Sequence, residues 1–545
     1  MKTLGITLGL TALLLAVTAC GGGKEIEKAK VEEVLTLLRG DESAILDPHA
    51  TNSGGDANLF QQMYEGLVRP SEKPPVLWEP CLAEKWSADA EFKVYTFQLR
   101  KGVKFHDGAE LDAAAVKRSF DRCRNIADPA APPNLPYASD YFGDIVTVEA
   151  KDASTVVFKL TDTNPKFVAN TGLFSASIVS PKALEAMAKI PEAKDREAWL
   201  TRHPAGTGPY TIADPSDYKD ASTITMTAFE GYWGGAPAIK RVVFKQSKEA
   251  KQRREQILAG EVQVIDSPAP DDWAELRAAE NVELYSWKAE NLCYLALNCD
   301  QKKGFITANP EVRKAIAMAV DRDPLVALYA GTAVDHHVLL PPVTLGFPQG
   351  YMPSTDKGPL ADRIAKAKEM ITKAGAEGTV LRLLMPAVPR PYLGKPPEIG
   401  DLLRLQIEKI GLKIELERQP MAELGVSMRD GVAPLVLIGW MGETGEPDDF
   451  WRPLLSGSNG PSNNNAARFF NAGVAEKIDA ALQDRDISKR RQMYEALEKS
   501  VHEEFRPIVP LLSAMQAVAW SKKVEGLYVD STGTYRLHKA RYKGN

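Results

Sequence analysis

Cysteine is scarce and poorly spaced for metal or redox work, with five residues in 545 and no Cys-x-x-Cys. Zinc ribbons and thioredoxin-type centres therefore have no support. Excess positive charge is missing too: 67 lysines and arginines stand against 72 acids, a net charge of −5. That balance leaves no electrostatic footprint for nucleic acid. Past residue 20 no apolar run approaches the length of a membrane-spanning helix, so the body of the chain is expected to be soluble. Enzyme signatures are also lacking. His502-Glu503-Glu504-Phe505-Arg506 begins like a His-Glu-x-x-His zinc-peptidase helix but has arginine where the second histidine must sit. No Gly-x-Ser-x-Gly stands between strand and helix, and the loop Gly206-Thr207-Gly208-Pro209-Tyr210 lacks the spacing of a dinucleotide site. A secreted hydrolase is kept only as the rival from a different class. Among seven histidines the one adjacent pair, His336-His337, points to opposite faces if extended, which does not suit a shared metal, and an ordinary solvent-facing loop pair is expected. No metal and no cofactor is expected.

What the chain does have is 44% hydrophobic and 26% charged residues, a globular balance, and length for two or three domains. Its N-terminus is the clearest signal. Lys2 precedes an apolar stretch at 4–17, closed by Val17-Thr18-Ala19-Cys20. This resembles a bacterial lipobox, which implies cleavage before Cys20 and a diacylglycerol on its thiol; the alternative is an ordinary secretory signal. Gly21-Gly22-Gly23-Lys24 then reads as a tether. Export permits disulfides among Cys81, Cys123, Cys293 and Cys299; three pairings exist, and Cys81 with Cys123 is preferred.

An apolar run at 434–438 has strand composition and empties into Gly439-Trp440-Met441-Gly442-Glu443-Thr444-Gly445-Glu446-Pro447-Asp448-Asp449-Phe450-Trp451. The four carboxylates Glu443, Glu446, Asp448 and Asp449, two indoles and three glycines of this run suit either a cation site or a solvated acidic turn. Trp440 can wall a pocket; Trp451 can wall it or pack in the core. Elsewhere, 59–67 shows helical periodicity, and Ser53 and Gly54 ahead of it either offer backbone N–H groups to a ligand or simply cap the helix. Residues 95–99 alternate as a strand that returns through 103–105, and 146–150 with 155–160 reads as a second hairpin. Asp112 is placed to cap a helix towards Arg122, and Asn309 one running from Pro310 to about Arg322.

Several blocks together resemble the family 5 extracellular solute-binding proteins, the peptide-binding and related components of ABC importers. They are Leu82-Ala83-Glu84-Lys85-Trp86 and the run from Tyr95 through Phe105-His106-Asp107-Gly108, then Gly206 to Tyr210 and Tyr232-Trp233-Gly234-Gly235-Ala236-Pro237. Val312-Arg313-Lys314-Ala315-Ile316, Ile410-Gly411 and Arg506-Pro507-Ile508-Val509-Pro510 follow in the same order. The resemblance implies an α/β, bilobed periplasmic-binding-protein type II fold with an extra α/β subdomain in the first lobe. Its implied divisions are a leader at 1–19, lipidated cysteine and tether at 20–30, and lobe I at 31–292 with the subdomain at 70–203. Lobe II then covers 293–514, and 515–545 returns to lobe I.

Within that family the chain is similar to the dipeptide-binding branch. There a Gly-Trp-x-Gly-Asp run carries the aspartate that pairs with the ligand α-ammonium, and this chain offers Glu443, longer by about one carbon–carbon bond. A Pro-x-x-Arg-Pro-Tyr run holds the ligand carboxylate, and here Pro386-Ala387-Val388-Pro389-Arg390-Pro391-Tyr392 is one residue longer, with Arg390 as anchor and Tyr392 beside it. A guanidinium fork meets a carboxylate with two parallel hydrogen bonds. Opposed charges at Arg390 and Glu443, facing one another across a gap between lobes, suit a short zwitterion. Charged hydrogen bonds contribute roughly 1.5–3 kcal/mol each, so two anchored ends plus backbone pairing reach micromolar affinity, about 8 kcal/mol.

The resemblance therefore implies a lipid-anchored, extracytoplasmic, monomeric carrier in the periplasm or at the cell surface. It would take di- or short oligopeptides to an ABC permease in the inner membrane, with no nucleic-acid partner. A nickel or haem complex, or an oligosaccharide, is the alternative cargo within the family.

Overall fold

Residues 435–441 do form a strand, Leu435–Met441, and its first five residues are buried. Such unbroken burial is what a central strand covered on both faces requires. It lies parallel to Val380–Pro386, which is itself parallel to Lys413–Gln419. The helix Pro396–Glu408 connects the last two strands, and the helix Met421–Asp430 leads back to Leu435–Met441. A helix must cross over between parallel neighbours, so the loops that follow Val380–Pro386 and Leu435–Met441 emerge at one end of the sheet.

The computed structural model describes residues 34–544 apart from 41–42, 44, 52–53, 73–77, 125–127, 133–134, 136 and 457–459. The expected leader, Cys20, its tether and Ser53 lie outside the described residues. Among the described residues no helix is long and apolar enough to cross a membrane.

The architecture is α/β. Its buried apolar side chains gather into two large cores. One contains Leu35, Leu37, Phe60, Phe97, Phe158 and Val518, and a small cluster around Leu38, Ile265 and Ala519 adjoins the same strands. The other contains Leu295, Ile316, Leu384, Leu437, Trp451 and Val509. The long strand Ile508–Ser521 serves both. Its residues 508–512 pair with Asn291–Leu297, and its residues 515–521 pair with Val282–Lys288. The chain thus passes from the first core to the second through residues 289–290 and returns within this strand. Asn291 straps the two crossings together. Its side-chain amide donates to Ala514 O at 2.7 Å and accepts from Ala514 N at 2.9 Å, and Ser513 Oγ donates to Asn291 O.

A four-stranded antiparallel sheet forms a satellite layer on the first core, in the order Ala83–Ala88, Val94–Leu99, Thr155–Leu160, Ile145–Asp152. The helix Ala113–Cys123 packs on it, with Phe120 edge-on to Phe158 at 4.8 Å. The last two strands form the expected hairpin. Asp112 caps the helix by accepting from Ala115 N, as expected. Asn309 caps Pro310–Ala319, which stops before Arg322 because Val320 is already extended.

Three expectations are corrected. Residues 103–105 do not return as a strand beside Val94–Leu99, whose two edges are taken by Ala83–Ala88 and Thr155–Leu160; only a lone bridge from Lys104 to Glu110 remains. The four cysteines are free thiols, and Cys81 faces the Glu65 carboxylate at 3.6 Å while Cys123 faces Phe120 O. His336 is not solvent-facing: it is buried and stacks on Phe347 with ring centroids 6.1 Å apart.

Asn291 is fully buried. Replacing it with alanine leaves two backbone groups of Ala514 without partners, each costing roughly 1–3 kcal/mol. Asn291→Ala should therefore lower the unfolding free energy by about 2–4 kcal/mol in urea titration. A loss below about 0.5 kcal/mol would show that the strap carries no load.

Candidate ligand-binding site

The acidic loop is shorter than the sequence suggests, because Asp448 and Asp449 open a helix, Asp448–Leu455. Pro453 sits inside this helix and lacks the N–H that would bond to Asp449 O. The Trp440 indole takes that carbonyl instead, with Nε1 donating to Asp449 O at 2.7 Å. A residue at the end of the strand is thereby fixed to the helix that follows the loop. Trp451 is completely buried in the second core, so of the two indoles only Trp440 keeps partial exposure.

Two carboxylates hold the loop. Asp449 Oδ2 accepts from Glu443 N at 2.9 Å, Thr444 N at 2.7 Å and Thr444 Oγ1 at 2.8 Å. Glu290 Oε2 accepts from Gly445 N at 3.1 Å, and Glu290 O accepts from Gly442 N at 2.7 Å. A Cβ on Gly442 would lie 2.9 Å from Glu290 Oε2 and 2.8 Å from the Phe450 ring, so glycine there is a matter of close approach.

From the first core three side chains reach this loop. Tyr137 OH donates to Glu443 Oε1 at 2.6 Å, Lys166 Nζ pairs with Asp448 Oδ2 at 2.5 Å, and Trp78 Nε1 lies 3.4 Å from Thr444 O. On another part of the boundary Lys395 pairs with Asp271 at 3.0 Å. Arg452 adds a second cation to Asp448, and Arg490 pairs with Glu446.

Acceptors outnumber donors even so. Glu443 Oε2, Asp448 Oδ1 and Asp449 Oδ1 are all buried without a hydrogen-bond partner. Burial, with the Asp449 charge adding to it, pushes the Glu443 carboxyl up to about 7 against the pull of the Tyr137 hydroxyl. Burial and Asp449 likewise push Glu290 up to about 8. Burial also opposes the ionisation of Asp448, but Lys166 and Arg452 outweigh it and hold that carboxyl down at about 2. A group rich in N–H donors and carrying positive charge would relieve this deficit; an ammonium has three such donors.

Arg390 follows the neighbouring parallel strand. It forms a tight bridge with Leu393, its guanidinium meets the Tyr392 phenol, and its Nε is buried without a partner. The Tyr392 ring lies directly on Gly439, where a Cβ would sit 2.2 Å from Cδ2. A side chain from the Arg390 loop thus packs on the backbone of the neighbouring strand. Arg390 and Glu443 do not stand on opposite lobes: Tyr392, Leu393 and Phe450 all belong to the second core, and the first core supplies Tyr137, Trp78 and Lys166. Open α/β sheets take ligands outside the carboxyl ends of their strands, and both loops lie there. Gly54 opens the helix Gly54–Met63, whose Leu59, Phe60 and Met63 pack in the first core. His337 is engaged by Asp356 at 2.8 Å and by Asp335 at 3.1 Å.

Residues 78–462 match the model described as bacterial extracellular solute-binding proteins, family 5. The chain belongs to that family. This family 5 solute-binding protein is 30% identical to the dipeptide-binding protein of Escherichia coli (strain K12), with 84% of this chain and 85% of the relative covered. It is 29% identical to heme-binding protein A of Haemophilus influenzae, with 97% of each covered. Among solved structures, the dipeptide binding protein from Pseudoalteromonas sp. SM9913 in complex with Met-Leu superposes with a TM-score of 0.82 at 25% identity, covering 94% of this chain and 100% of that one.

Tyr137, Lys166, Trp78 and Glu290 were not singled out from the sequence. Tyr137 is 306 residues from Glu443 along the chain, and no local pattern marks such a pair.

Glu443 and Glu290 bind a proton more tightly in the folded chain than at the ordinary carboxylate value of 4.5. Their stabilising contribution is complete below that value and is lost as pH rises through about 7 and 8. Without ligand, Glu443→Gln should therefore gain on the wild type in urea midpoint between about pH 5 and pH 8. A difference that does not change with pH would contradict the raised carboxyl.

Proposed function

We propose that this family 5 protein is the extracytoplasmic, lipid-anchored binding component of an ABC importer. It captures dipeptides or short oligopeptides between its lobes and delivers them to a membrane permease. One observation carries the reading: the loop after Leu435–Met441 and the first turn of the helix that follows it bury three carboxylate oxygens without donors, while Arg390, on the loop after the adjacent parallel strand, buries an Nε without an acceptor. A short zwitterion supplies both deficits, with its ammonium at Glu443 and its carboxylate at Arg390. Tyr392 orients the arginine, and Trp440 offers a partly exposed indole to ligand side chains. Gly54, which opens the helix in the first lobe, and Ser53 before it in the sequence supply backbone N–H groups to the same ligand in this reading.

The relatives support this cargo, since dipeptide-binding proteins and a structure holding Met-Leu stand among them. Lobe I is taken as 31–292 with 515–545, lobe II as 293–514, and the subdomain as 70–203. The protein acts as a monomer, in the periplasm or on the cell surface, tethered through Cys20.

Arg390→Ala and Glu443→Gln should each weaken dipeptide binding at least tenfold, about 1.4 kcal/mol, in calorimetry. Unchanged affinity in both variants would remove the site. Mass spectrometry of ligand released on denaturing the purified protein should find short peptides; a haem or nickel complex, or an oligosaccharide, would replace the cargo. Cys20→Ser should move the protein from the membrane fraction to the soluble one, and retention in the membrane would refute the lipid anchor.

A further inference from the structure

The connection from the first core to the second is two residues long, Ala289 and Glu290, between the strands Val282–Lys288 and Asn291–Leu297. Those strands pair with different halves of Ile508–Ser521, so any rotation of one lobe against the other turns the backbone at this connection. Glu290 is also attached to the candidate binding loop at two points. Its main-chain carbonyl accepts from Gly442 N and its Oε2 from Gly445 N, on either side of Glu443 in the chain. Thr344, from a third segment, donates to its Oε1 at 3.3 Å. The next residue, Asn291, is bound on both its amide atoms to Ala514 in the returning strand.

We propose that Glu290 is a positioning residue that couples the candidate ammonium site to the hinge: it sets the loop that presents Glu443 and carries a shift of that loop into the connection between lobes. The proposal rests on the peptide-binding reading above. Three features fit. Gly442 is in contact with Glu290, and a side chain there would displace it. The charged groups that face Glu290 are Asp449 and Glu446, both acidic, so a neutral carboxyl with its hydroxyl proton is the form that fits beside them. Asp449 Oδ2 holds the amides of Glu443 and Thr444, so Glu290 and Asp449 fix the same loop at successive residues. Ligand at Glu443 then moves a segment that is hydrogen-bonded to the hinge itself, with no relay needed through the core.

The test uses the purified full-length protein and its Glu290→Gln and Glu290→Ala variants, with Ala-Ala as the probe. Glutamine keeps an oxygen acceptor for Gly445 N and mimics the neutral carboxyl; alanine removes both. Three readouts are taken: affinity by calorimetry, contraction on ligand by small-angle X-ray scattering, and amide exchange at 442–445 without ligand. Expected for Glu290→Ala are at least tenfold weaker binding, faster exchange at Gly445 in the unliganded protein, and little contraction even when saturated. Glu290→Gln should restore all three. Weaker binding with full contraction at saturation would overturn the coupling, since the residue would then only shape the loop. Unchanged exchange and affinity in Glu290→Ala would overturn its positioning role as well. If the wild type binds no dipeptide, the peptide reading fails by itself, and the exchange arm still decides whether Glu290 holds the loop. An Ala variant that does not fold leaves the decision to Glu290→Gln, where loss of contraction or a tenfold loss of affinity would overturn the proposal.

Discussion

A buried surplus of carboxylate oxygen governs this molecule. The loop after Leu435–Met441 and the first turn of Asp448–Leu455 bury three such oxygens where no protein donor reaches them. An unpaired buried charge is expensive, so the unliganded protein meets the deficit by keeping protons on Glu443 and Glu290 and by spending Lys166 and Arg452 on Asp448. The surplus is tolerable only because the loop is tied down by Asp449, by Glu290 and by the Trp440 indole on Asp449 O. In the proposed reading this surplus is what favours a cation over a neutral molecule.

The same loop is where the two lobes meet. Tyr137, Lys166 and Trp78 come from the first core and end on Glu443, Asp448 and Thr444, while Arg390 and Tyr392 come from the strand beside the loop. In the proposed reading, closing the lobes and completing the ligand's surroundings are therefore one event in structural terms. Burying the Lys166–Asp448 pair carries a desolvation penalty of several kcal/mol per ion, which is recovered only when geometry and further hydrogen bonds are good. Arg452 on the same carboxylate, with Asp479 beyond it, supplies that support.

Much of this was legible in the sequence because it is local. An apolar run followed by glycines and acids gives a strand and a loop, and Asp112 and Asn309 announce their helices by capping. The blocks that resemble the family led to the α/β lobes and to residues 390 and 443. Other features were hidden for physical reasons. Proline ordinarily interrupts a helix, yet Pro447 precedes the helix Asp448–Leu455 and Pro453 lies inside it, where an indole replaces the missing N–H. Residues 103–105 have strand composition, but the edges of their expected partner strand were already occupied. Burial of His336 depends on Phe347, and the role of Glu290 depends on where two distant strands cross. None of these is written in spacing.

The central claim is that the carboxyl at residue 443 trades its proton for a ligand ammonium. Calorimetry of Ala-Ala binding at about pH 6.5, repeated in buffers of different ionisation enthalpy, counts the protons exchanged on binding. The account predicts net proton release by the wild type and a smaller release by Glu443→Gln. Binding that exchanges no protons, or takes them up, would contradict it.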